Sequence, residues 1–320
     1  MPHVPAESLH VRLEGALAEG AAGLEGLAGA EALDRRDEAL ALLAVHDLHL
    51  APVDQLGDRA RWQHHPAVAG LKLRLEERYV ERLGPDDEGE GPLTAEDTVR
   101  AVRALAVTDQ LPPVYRWVAE AAGAAALVDF LALEGGPDGG FDDLVAVCQV
   151  GIAGAPKLEL ARNYWDEMGR GDPAQVHTEL HRRLARATGM RPVPRAEQPV
   201  EALERSLLSS LLATNRHLQP EMVGALGLLE LQAGQRCRKV VQGLRRVGAP
   251  DDALAFYVEH AAADPRHGKD WLDHVIAPLA ADPRWAAGIV RGARWRAEVN
   301  RRFFAEAARR FVAGAGTRAA

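Results

Sequence analysis

No part of this chain alternates apolar and polar residues between hairpin turns; its apolar residues recur at helical spacing, in segments that stop at glycine and proline. That feature removes sheets and barrels and leaves an all-α fold. The spacing predicts helices near 7–30, 34–50, 58–82 and 99–108, then longer and more apolar ones near 114–134, 141–152, 155–169, 174–188, 199–214, 218–247, 250–263, 266–281 and 284–313. Breaks fall at Leu111-Pro112-Pro113, at the glycines around Pro137, between Pro192 and Pro199, and at Gly248. The stretch GPDDEGEGPLTAED over 84–97 is the strongest loop signal, and inside it Thr94 with Asp97 reads as a helix start. No fixed-period repeat supports a solenoid. The expected organisation is a helical extension over 1–110 packed on a core bundle over 111–320.

Composition narrows the function classes. Ala, Leu, Arg and Glu dominate and aromatics are scarce, which favours helix. The net charge of −8 gives no global basic field for nucleic acid. With Cys148 and Cys237 the only cysteines, a disulfide scaffold and a thiolate zinc cluster are both excluded. No apolar run reaches the roughly 18 residues of a membrane span, and MPHVPAESLHVRLEG is not built like a secretory signal. The expectation is a cytoplasmic protein with reduced thiols.

Chemistry is sought where polar residues sit among apolar ones. Glu230 is the one charge between Met222 and Ala233, and a buried carboxylate is costly unless paired or metal-bound. Glu134 ends VDFLALE, where the helix dipole opposes a carboxylate. Glu167 lies in RNYWDEMGRG, and His177 follows ten residues on. His260, Asp264 and His267 are spaced i, i+4 and i+7. Successive helix residues turn by about 100°, so these three share a sector of about 60°. Together these are the carboxylates and histidines that bundle cores use to hold two irons, and mixed N/O ligation without thiolate suits iron or manganese, with zinc as an alternative. Each has a bland reading. Asp264-Pro265 suits a helix start, Glu167 could pair with Arg162 or Arg170, and either histidine could face water.

The run NYWDEMGRGDPAQVH, the isolated Glu230 and the final HAAADPRH resemble the heme-oxygenase-like diiron oxidases and oxygenases, a family of iron-containing redox enzymes. The resemblance spans about residues 114–280. It implies a heme-oxygenase-like helical bundle without heme. Glu167 and His177, then Glu230, then His260, Asp264 and His267 are the ligands it implies; the expected mechanism has Glu230 bridging the two ions. Glu134 is the counterpart of a further upstream carboxylate, with Asp129 or Glu159 as rivals. It also implies two ferrous ions, one of them labile, with O2 as co-substrate. The expected substrate is a small amino acid, amine or fatty-acid-like molecule, and the expected partners are an unspecified electron donor and a second copy in a homodimer. Arg238, eight residues after Glu230, is a candidate anchor for a substrate carboxylate.

Two departures stand out. Pro265 lies inside the last motif and predicts a kink there, and Gly169 to Pro173 prevents Glu167 and His177 from projecting off one straight helix. Two other readings stay open at this level: a metal-free or tetrapyrrole-handling relative on the same scaffold, or a helical protein-interaction module.

Overall fold

The computed structural model describes residues 7–84, 93–135 and 140–313, without the side chains of 263–265. Most of the expected linker over 84–97 therefore lies outside the described residues. In chain order the α-helices are α1 (Leu9–Glu19), α2 (Ala21–Glu25), α3 (Arg35–Leu50), α4 (Val53–Leu56), α5 (Pro66–Leu83), α6 (Ala95–Thr108), α7 (Pro113–Glu120) and α8 (Ala124–Glu134). They continue as α9 (Phe141–Cys148), α10 (Gly154–Glu167), α11 (His177–Thr188), α12 (Val200–Thr214), α13 (Gln219–Arg246), α14 (Asp251–Asp270), α15 (Ala277–Leu279) and α16 (Pro283–Ala307). Among the described residues there is no strand, and no helix is long and apolar enough to cross a membrane.

The chain divides into two compact units. The first joins residues 1–85 to 194–215, and the second joins 86–193 to 216–320. Helix α6, expected within the N-terminal extension, belongs to the second unit, and α12, expected within the core, belongs to the first.

In the first unit α3 packs against α12, α1 and α5. The Asp37 carboxylate accepts from the backbone amides of Leu9 (2.8 Å), His10 (2.9 Å) and Leu33 (2.9 Å), so α3 satisfies amides that α1 leaves open at its start. Buried Glu204 of α12 pairs with Arg35 at 2.6 Å. Buried His46 lies 2.7 Å from both Ser210 Oγ and Glu76 Oε1, which ties three helices through one imidazole.

The second unit is built round α13, flanked by α14, α16, α7 and α6. Pro220 starts that helix where no donor is needed. Its glycines set how closely neighbours approach. A methyl group on Gly224 would overlap the Ile289 carbonyl oxygen, and one on Gly292 would overlap the Glu221 carbonyl oxygen, so α13 and α16 meet backbone to backbone. Buried Glu221 is paired there with Arg291. Trp295, Phe303 and Phe304 of α16 are buried in the core. The expected start of α6 is present as a capping box: Asp97 N–H donates to Thr94 Oγ1 at 3.1 Å, and Asp97 Oδ2 accepts from the Thr94 amide at 3.3 Å.

The expected break between 263 and 266 is absent, because α14 runs from Asp251 to Asp270 through Pro265. Proline lacks the amide that would serve the Ala261 carbonyl. The Arg238 guanidinium supplies the missing donor, Nη1 to Ala261 O at 3.2 Å, and the helix continues. Beyond it, Trp271–Ile276 forms a π-helical turn, with buried Trp271 donating from Nε1 to the Val223 carbonyl at 3.1 Å.

Candidate metal centre

Glu167 is the last residue of α10 and His177 the first of α11. The nine residues between them reverse the chain through Gly169 (φ 60°), Arg170 (φ 54°) and Gly171 (φ 88°). Gly169 is confined to glycine by that φ and by space, since a Cβ would lie 2.5 Å from the Gln175 carbonyl carbon. The turn brings His177 Nδ1 to 2.6 Å from Glu167 Oε2. The ring nitrogen is close enough for an ion pair but not aimed for a hydrogen bond. Burial opposes charge on both groups, yet each outweighs it for the other: Glu167 stays below the usual carboxylate range and His177 rises above the usual imidazole range.

Two groups of candidate ligands result. Glu167, His177 and His260 offer ligand atoms within 4.8 Å of one another, and so do Glu167, Glu230 and His267. Glu167 is common to both, and Glu230, the expected bridge, is in the second. Arg162 pairs with Glu159 at 3.0 Å, and Arg170 reaches Asp166 and Glu259, so neither engages Glu167.

The imidazoles are oriented by what their other nitrogens touch. His260 Nδ1 lies 2.8 Å from the Phe256 carbonyl oxygen, an acceptor only, so this nitrogen carries the proton and Nε2 keeps its lone pair. Burial, reinforced by His177, pushes His260 down to about 4. His267 Nε2 lies 2.9 Å from Asp166 Oδ2. Burial raises Asp166, but His267 and two arginines outweigh it and hold the carboxyl ionised, so Nε2 is the donor. That leaves the His267 Nδ1 lone pair buried, without a hydrogen-bond partner, 3.7 Å from Glu230 Oε2.

Burial pushes Glu230 up to about 7, against the pull of His267. Its other oxygen, Oε1, accepts from Asn163 Nδ2 at 2.7 Å. An unpartnered imidazole lone pair facing a carboxylate oxygen across such a gap leaves both free to ligate a cation, and a donor set of three imidazoles and two carboxylates fits iron. Gly268 permits the approach of α14, since a Cβ there would lie 3.1 Å from the Glu230 carbonyl oxygen.

The remaining candidates lie elsewhere. Glu134 is buried and accepts from the Tyr115 hydroxyl at 2.8 Å, and it belongs to neither group. Asp129 is exposed and Glu159 is paired with Arg162. The Asp264 side chain lies outside the described residues. Arg238 is exposed and donates to the Ala261 carbonyl. Asn163 and Asp166 were not expected. Asn163 is one helical turn before Glu167, a spacing legible in sequence; Asp166 lies off that face, and only the fold brings it to His267.

A helical bundle with carboxylates and imidazoles converging beside its central helix is the architecture of the heme-oxygenase-like proteins, and the chain has that fold. The family described as iron-containing redox enzyme matches residues 128–301, more than half the chain, and the protein belongs to it. No curated protein matches the chain.

Proposed function

We propose that this protein is a non-heme iron oxidase or oxygenase that holds two ferrous ions and uses O2 on a small amino-acid, amine or fatty-acid-like substrate. The observation that carries the reading is the pair of three-residue groups joined at Glu167. Glu167, His177 and His260 would hold one ion; Glu167, Glu230 and His267 would hold the other. Asp264, four residues after His260 in sequence, is the remaining candidate for the first ion. Bound ferrous iron supplies electrons to O2, and an external donor restores them.

The chain's own residues supply position and dryness. His260 and His267 present fixed lone pairs because their other nitrogens are engaged. Asn163 steadies Glu230, and Glu167, His177, Glu230 and His267 are all buried. The neighbouring charges on Glu167 and His177 keep that pair ready to exchange a proton for a metal ion.

Anaerobic titration with Fe(II), followed by metal analysis, tests the reading. Two equivalents should bind, His177→Ala should lose the first, His267→Ala the second, and Glu167→Ala both. Exposure to O2 should then consume iron-bound electrons in proportion to the ions held. A wild-type protein that retains no iron, or variants that all retain two equivalents, would overturn it.

A further inference from the structure

Asp166 stands beside Glu167 in sequence, yet it points to the opposite edge of the cluster. Its Oδ2 lies 2.9 Å from His267 Nε2 and 2.9 Å from Arg266 Nη2, while its Oδ1 lies 3.4 Å from Arg170 Nη1. Arg170 also reaches Glu259 at 3.2 Å, so the end of α10 and the reversal after it are tied to α14 at Glu259, just before His260, and at Arg266 and His267. The carboxylate is mostly enclosed, with 16% of its side chain exposed. On its far side the ring leaves Nδ1 unpartnered and directed toward Glu230.

From this geometry we infer that Asp166 is a positioning residue for the iron site, fixing His267 in the Nε2-protonated tautomer and aiming Nδ1 between Glu167 and Glu230. The inference rests on the iron reading above and adds the residue that orients one ligand. A carboxylate behind a metal-binding imidazole sets ring orientation and raises ligand basicity, and its loss costs about tenfold to a hundredfold in metal affinity. Because Asp166 and Glu167 are consecutive on α10, one turn of helix holds both a ligand and the support of a second ligand.

The test compares wild type with Asp166→Ala and Asp166→Asn by anaerobic Co(II) titration read in the visible spectrum, and by 15N NMR of the histidine rings in the metal-free protein. The wild-type His267 ring should show Nε2 protonated and Nδ1 unprotonated. Asp166→Ala should weaken one of the two Co(II) equivalents about tenfold to a hundredfold, leave the other unchanged, and mix the His267 tautomers. Asp166→Asn, whose side-chain carbonyl can still accept from Nε2, should recover most of the affinity and the tautomer. Folded Asp166→Ala protein with wild-type affinity for both ions would overturn the inference while leaving the iron reading intact. A wild-type His267 protonated at Nδ1 would overturn it without any variant. Wild-type protein that binds no Co(II) and no Fe(II) would overturn both.

Discussion

Glu230 is the residue on which acidity and metal binding meet. Burial raises its folded pKa to about 7 from an ordinary 4.5, so the folded state holds the proton more tightly than the unfolded chain does. Stability from this group is full below about 4.5 and is lost as pH rises through about 7. His260 runs the other way: its folded pKa of about 4 makes its contribution present above the ordinary 6.5 and lost as pH falls toward 4. Glu230→Gln, which mimics the protonated acid, should therefore match metal-free wild type at pH 5 and exceed it at pH 8 by on the order of 1–3 kcal/mol, read from denaturant melts at both pH values. Equal stabilities at pH 8 would mean that the Glu230 charge is already compensated without metal. Fe(II) affinity of the wild type should climb as pH rises through about 7, as the ion ceases to compete with that proton. At this scale much was legible. Glu230 betrays itself as an isolated charge in an apolar run, and His260 and His267 share a helix face. The sharing of Glu167 and the support from Asp166 were not legible, because they depend on how α10 meets α13 and α14 rather than on spacing within one helix.

Helices are where local rules were overridden. The proline at 265 predicts a break, and the arginine at 238 removes the reason for it by serving the Ala261 carbonyl from the neighbouring helix. Sequence periodicity cannot show a compensation that arrives from 23 positions away. Arg238→Ala should leave this carbonyl unserved, cost about 1 kcal/mol, and speed amide hydrogen exchange around Ala261 with the rest of α13 unaffected. In a Pro265→Ala background the residue-265 amide takes over the carbonyl, so the same Arg238→Ala change should then cost almost nothing. Equal costs in the two backgrounds would show that Arg238 acts otherwise. The crossing of α13 and α16 gives a second test at this scale. Gly224→Ala forces a methyl onto the Ile289 carbonyl, which cannot yield without separating the helices, so a loss on the order of 1–3 kcal/mol is expected in thermal melts. An unchanged melting temperature would mean that the crossing can relax.

Across the whole molecule the all-α character follows from periodicity alone, but the division of the chain does not. A boundary near residue 110 is the natural reading, since acids, Pro and Gly cluster just before it and the matched ligands all come after it. Helix α12 contradicts no local signal, yet it belongs with the N-terminal helices: Leu203, Leu207, Leu208, Leu211 and Leu212 are buried in that unit, Glu204 needs Arg35, and Ser210 meets His46. A stripe of leucines declares that it needs a partner surface without saying which one. Removing residues 1–85 alone should therefore strip the leucine face of α12 and leave Glu204 without its Arg35 partner, giving a protein that aggregates or melts well below full length. Removing residues 194–215 as well, with a flexible Gly/Ser linker in their place, should relieve that exposure and restore solubility. Every described candidate ligand, Glu167, His177, Glu230, His260 and His267, lies in the second unit, so the doubly shortened chain should still take up iron, measured by metal analysis after anaerobic loading. A singly shortened chain as soluble and as heat-resistant as full length would show that the burial of α12 contributes little. A doubly shortened chain that folds but loses iron would show that the centre depends on the unit that carries none of its described candidate ligands.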